Sequence, residues 1–128
     1  MDSDTKTKIS SFKDLNAWKE GHVLVLLIYG ITKIFPKDET FRLTDQLCRA
    51  VVSITSNIAE GFSRNYAKEK SQFYAMSLGS LTEIQNQLLI AKDLKYINSN
   101  TFEKIEQQIT TVNKLLHGLM KSVANREV

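Results

Sequence analysis

Between residues 102 and 123 the apolar side chains Phe102, Ile105, Ile109, Val112, Leu116, Leu119 and Val123 recur in strictly alternating steps of three and four. Lys, Glu, Gln, Thr and Asn fill most of the positions between them. An α-helix with one buried stripe meets that spacing, because residues three and four apart share a face at about 3.6 residues per turn. Such a helix needs others to cover its stripe. The rest of the chain is suited to supply them. It holds a single Pro and five Gly among 128 residues, with 42% hydrophobic content, which is enough for one substantial core and too little for two ordinary domains.

Four helices follow from the pattern. The first begins near Asp14, a credible N-cap flanked by Phe12 and Leu15, and Pro36 stops it by forcing Phe35 out of helical geometry. Leu15, Trp18, His22, Val25, Tyr29 and Thr32 mark one face, and Leu24, Leu27, Ile28 and Ile31 cover another. A charged connector, 37–44, offers Asp38, Thr40 or Thr44 as the next cap. The second helix buries Leu43, Leu47, Val51, Ile54 and Ile58, and Gly61 fits a left-handed closing residue. After a short turn, the third turns Phe73, Tyr74, Ser77, Leu78, Leu81, Ile84, Leu88 and Ala91 inward, and Gly79 and Ser80 in mid-helix point to close packing there. Asn100 with Glu103 resembles a capping box for the fourth. The expected architecture is all-α, an antiparallel up-down-up-down four-helix bundle over 12–124, with a flexible tail at 1–11 and a frayed end at 125–128.

The first two helices carry more apolar surface than one seam requires, and a soluble chain rarely leaves a large patch in water. Self-association is the expected destination, and the alternative is a four-helix core that envelops the second helix more deeply. The apolar run Val23–Ile31 falls short of the roughly 20 residues that span a membrane, and one cysteine, Cys48, makes no disulfide framework. The start lacks the charged and apolar regions of a signal peptide, so a cytoplasmic protein with no membrane partner is expected.

No catalytic or metal constellation emerges. Glu60 and Glu83 fall on neighbouring helices but roughly 20 Å apart along the bundle, too far to share a substrate atom. Glu83 is expected to meet Arg49 and Gln46, and Glu60, with Asn57, to meet Arg64 and Lys68; Arg49, Asn57, Glu60, Ser80 and Glu83 thus form an expected structural polar network. Neither His22 nor His117 has the Glu three residues earlier that two-metal bundles use, and Gly-rich phosphate loops are lacking, so no cofactor is expected. Seventeen basic residues against 14 acidic give +3 and a pI near 9.0. An alternating bundle gathers Lys13, Lys19, Arg64, Lys68, Lys70, Lys121 and Arg126 toward one end against Asp14, Glu20, Glu60, Glu69 and Glu127. That surplus is small in one chain, but a ring would repeat it into a basic rim able to attract phosphates. Arg64, Lys68, Lys70 and Lys121 are the expected nucleic-acid contacts.

Several motifs carry a family resemblance: Phe12-Lys13-Asp14-Leu15 with Trp18, Phe35-Pro36, Arg49-Ala50, Ser56-Asn57-Ile58-Ala59-Glu60-Gly61 and Gly79-Ser80-Leu81 with Glu83. Over roughly residues 12 to 120 the chain resembles the bacterial four-helix-bundle proteins known as 23S rRNA intervening-sequence proteins and, in places, as ribosomal proteins. Those are similar to the accessory variability determinant of diversity-generating retroelements. The resemblance implies a ring, a homopentamer, associated with RNA or DNA and without enzymatic activity; a protein partner is the alternative. Cys48 stands where the family often has a basic residue, so no basic strip on the second helix is implied.

Overall fold

The computed structural model describes residues 8–126, and four helices account for most of them: α1 (Asn16–Thr32), α2 (Leu43–Ser63), α3 (Ala67–Asp93) and α4 (Ser99–Arg126). No strand occurs among the described residues. A 3-10 turn, Phe12–Asp14, leads into α1, and another, Lys37–Glu39, precedes α2. The tail expected at 1–11 and the fraying expected at 125–128 lie partly outside the described residues. α1 packs on α2 and α4, and α3 packs on α2 and α4, while the α1 and α3 backbones do not approach each other and lie diagonally across the core.

Side-chain contacts fix the registers. Between α2 and α3, Gln46 meets Gln87, Ser53 meets Ser80 and Gly61 lies against Tyr74, so numbers rise on one helix as they fall on the other. Gly21 meets Thr55 and Thr32 meets Cys48 in the same opposed sense. The first residues of α1 share a groove with Gly118 and Leu119 near the end of α4.

The stripe on α4 is realised: Phe102, Ile105, Ile109, Val112, Leu116 and Val123 are buried. So is the expected row of α2, Leu43, Leu47, Val51, Ile54 and Ile58. In α1 both apolar rows contribute to the inward face. Ala17, Gly21, Leu24, Ile28 and Thr32 are buried, while His22 and Tyr29 face water. Small residues decide this rotation: a Cβ on Gly21 would stand 3.1 Å from Thr55 Cγ2, so the backbones of α1 and α2 approach where only glycine fits easily.

The caps also differ from expectation. Asp14 does not cap α1; its carboxylate accepts the N–H groups of Ser10 and Ser11 at 2.9 and 3.0 Å, and Ser11 caps the 3-10 turn. Those backbone bonds, from Ser10 first, hold the Asp14 carboxyl below its ordinary range. At α2 the Leu43 N–H lies 3.4 Å from Glu39 Oε1, and none of Asp38, Thr40 and Thr44 supplies a cap. Asn98, two residues before the expected Asn100, accepts from the Thr101 N–H at 2.8 Å at the start of α4.

Gly61 is helical, not left-handed; no glycine has positive φ. Its role is steric. A Cβ there would lie 2.7 Å from Tyr74 Cε1 and 3.1 Å from Phe73 Cβ. Gly79 is the reverse, with nothing within 4 Å of a Cβ among the described residues, so the close packing expected at Gly79 and Ser80 is found only at Ser80, whose hydroxyl lies 2.9 Å from that of Ser53.

Candidate nucleic-acid interface

The α2–α3 turn brings three of the four expected contacts together. Arg64 ends α2 in extended conformation, and its guanidinium donates to Glu60 Oε2 at 2.7 Å. The same guanidinium lies 4.7 Å from the Phe73 ring centroid, so charge and flat face are both engaged. Lys70 is occupied as well. Its ammonium donates to the Phe62 carbonyl at 2.8 Å and reaches the Gly61 carbonyl at 3.4 Å, satisfying acceptors that the end of α2 leaves open. Of these four, Lys68 and Lys121 alone are exposed and without a side-chain hydrogen bond or ion pair among the described residues. The groove shared by Leu15, Gly118 and Leu119 puts the last turns of α4 at the end where α1 begins, and Gly21 against Ile54, Thr55 and Ile58 puts the last turns of α2 there too. Lys68 and Lys121 therefore decorate one end. Glu127 and the Arg126 side chain lie outside the described residues.

The polar residues expected to form one network form four separate groups, of which Glu60 with Arg64 is one. Arg49 does not meet Glu83: its Nε donates to Asp45 Oδ2 at 2.9 Å on its own helix, and its side chain is 79% exposed. An exposed pair of this kind contributes under about 1 kcal/mol. Asn57 donates to the Ser53 carbonyl and hydroxyl, and the Ser53 and Ser80 hydroxyls are 2.9 Å apart, which ties α2 to α3 at mid-length. Just beneath, the buried Ser77 hydroxyl donates to the Ile54 carbonyl at 2.8 Å. Glu83 receives the Gln87 amide at 3.4 Å, as does Gln46. Gln87 was not singled out by the sequence pattern, since a long amide at helical spacing carries no periodic signal.

Other candidates are quiet. Trp18 and His22 stack at 4.9 Å with 13° between planes. Cys48 Sγ is 3.8 Å from the Thr32 hydroxyl. At the far end, Tyr96 donates to Glu39 Oε2 at 2.7 Å and packs against Phe35 at 5.2 Å, locking the 37–39 turn to the α3–α4 connection. Beside it lies an open cleft of about 780 Å³ between Ile31 and Ile34 on one side and Lys92, Lys95 and Ile97 on the other. Among the described residues, no three or more of His, Cys, Asp and Glu gather as metal ligands, and no helix is long and apolar enough to cross a membrane.

No curated protein matches the chain. Its fold is similar to a crystal structure from Bacteroides thetaiotaomicron, described as a protein with unknown function from the S23 ribosomal protein family. The TM-score is 0.77 at 23% identity, covering 85% of this chain and 98% of that one. At that identity the likeness carries the fold alone. Residues 13–118 match the family described as 23S rRNA-intervening sequence protein, and the chain belongs to that family.

Proposed function

We propose that this protein is a non-enzymatic, cytoplasmic ring of identical copies, a pentamer, that binds nucleic acid or a ribonucleoprotein through phosphate contacts. In this reading each copy is an up-down-up-down bundle, which the opposed registers of α1 against α2 and α2 against α3 support. Membership of a family named for an rRNA insertion supports the RNA association. The observation that carries the contact surface is the pair of exposed lysines, Lys68 and Lys121, at one end of the fold. A closed ring repeats that pair around one rim, and point charges on flexible stems suit phosphates while reading no bases.

Two of the four expected contacts take other parts. Lys70 holds the end of α2, and Arg64 adds to the rim only by leaving Glu60. Titration of structured and single-stranded RNA and DNA at low salt tests the reading. Binding is expected to weaken steeply with salt. Lys68→Ala with Lys121→Ala is expected to lower both affinity and salt slope, by about one slope unit for each phosphate that a lysine no longer neutralises. No complex with any of these at low salt defeats it. The engagement of Arg64 and Lys70 favours a rival, a ring that holds a protein partner with its charge incidental. Partners that survive nuclease treatment of a native pull-down would favour that rival.

A further inference from the structure

Among the described residues one buried side-chain atom lacks a hydrogen-bond partner: Gln87 Oε1, on a residue only 4% exposed. Its own Nε2 lies 3.4 Å from both Gln46 Oε1 and Glu83 Oε2, at the long limit of hydrogen bonding. Turning the amide over would set Oε1 against those two acceptors and worsen the mismatch. As the amides are oriented, Gln46 Oε1 and Glu83 Oε2 both face the one Gln87 amide N–H group, and no N–H faces Gln87 Oε1. A buried polar group left in that condition is costly, and a donor arriving from outside would relieve it.

The surroundings indicate where the donor comes from. Glu83 is exposed and is the sole charged residue from Ser71 to Ala91; Met76, Gly79, Asn86 and Ile90 share its outward stripe. On α1, Gly21–Thr32 holds no Asp, Glu, Lys or Arg, yet Val23, Leu26 and Tyr29 are exposed, Leu26 at 61%, and Lys33 follows at once. Loss of charge marks the covered centre of protein interfaces. The α1 and α3 backbones lie apart, so one copy can offer its α1 face to one neighbour and its α3 face to another, as a head-to-tail ring requires.

Height selects the donor. Thr32 meets Cys48, Gln46 meets Gln87, and Cys48 and Gln46 lie within one turn of α2, so Lys33 stands level with Gln87. In a closed ring whose bundles stand parallel to the symmetry axis, copies are rotated and not raised. Lys33 of each copy then meets the Gln87 level of the next.

Resting on the ring reading above, we propose that Gln46, Glu83 and Gln87 form a socket for the Lys33 ammonium of a second copy. An ammonium brings three donors and no acceptor, which pairs with the exposed Glu83 charge beside Gln46 and meets Gln87 Oε1, enclosed in the single chain, when that side chain turns outward.

Sedimentation velocity over a range of concentrations tests this, on wild type, Lys33→Glu, Glu83→Lys and the double exchange. Each single change is expected to move the assembly midpoint about tenfold or more to higher concentration, and the double exchange to recover most of it. Gln87→Leu is expected to raise the Tm of dilute protein while weakening assembly, opposite signs that a purely internal role would not produce. If the wild type assembles and the single variants assemble equally well, or the double does not recover, the socket is wrong and the ring stands. A wild type monomeric at micromolar concentration overturns both. Should Glu83→Lys lose helicity by circular dichroism, Glu83→Gln replaces it, and unchanged assembly of that variant overturns the socket.

Discussion

Gly61→Ala puts one methyl where α2 and α3 approach most closely. Its carbon would sit 2.7 Å from Tyr74 Cε1, 3.0 Å from Tyr74 Cδ1 and 3.1 Å from Phe73 Cβ. None of these is the free tip of a flexible chain. Tyr74 is 1% exposed and Phe73 Cβ is tied to its backbone, so relief requires α2 and α3 to part near the turn. Overpacking of this kind costs about 1–3 kcal/mol. The substitution also recovers up to about 1 kcal/mol of helix propensity, less in a last turn. The expected net loss is about 1–2 kcal/mol, read by far-UV circular dichroism as a urea midpoint lowered by about 0.5–1 M. Gly79→Ala is the control. Nothing lies within 4 Å of its Cβ, so dilute protein should gain about 0.5–1 kcal/mol. Gly61→Ala as stable as wild type would refute the steric account of this turn.

Other outcomes follow from single contacts. Lys70→Met removes the ammonium from the Phe62 and Gly61 carbonyls and should cost about 1 kcal/mol in urea unfolding, with nucleic-acid affinity changed less than by Lys68→Ala. Equal loss of affinity from both would contradict the structural role given to Lys70. Ser77→Ala deletes a buried donor to the Ile54 carbonyl and should cost about 1 kcal/mol, also by urea unfolding. The Glu39–Tyr96 bond predicts a pH dependence with two arms. The bond from Tyr96 is the first cause holding the Glu39 carboxyl below its ordinary 4.5, so its share of stability is complete above that pH and lost as pH falls through the lowered value. The same bond is the first cause raising the Tyr96 hydroxyl above 10.0, so that share is complete below 10.0 and lost as pH rises through the raised value. Tyr96→Phe should flatten both arms of Tm against pH; an unchanged profile would mean the latch contributes nothing.

Rows of large aliphatic side chains were legible in the sequence. The α4 stripe and the α2 row each name their buried residues, because large aliphatic side chains at helical spacing have one way to leave water. The rotation of α1 was not legible, since apolar residues cover most of its circumference and the choice fell to Ala17 and Gly21, whose smallness permits contact without advertising it. Gly61 was placed correctly as important at the turn but for the wrong reason: a C-terminal glycine reads as a left-handed cap, whereas here the facing ring of Tyr74 demands it. The polar groups show the limit most clearly. Arg49 has acceptors on its own helix and across the hairpin, and spacing alone does not choose between Asp45 and Glu83. Among the basic candidates, sequence counts charges, while geometry separates Lys70, spent on backbone carbonyls, from Lys68 and Lys121, open to solvent.

A ring that multiplies a small basic end is the centre of this account, and light scattering on the protein as it elutes from a sizing column at low salt, with and without a structured RNA, tests it most directly. The account predicts a mass five times the 14.6 kDa chain alone, increased by RNA when RNA is present. A single-chain mass at micromolar concentration, unchanged by RNA, would contradict it.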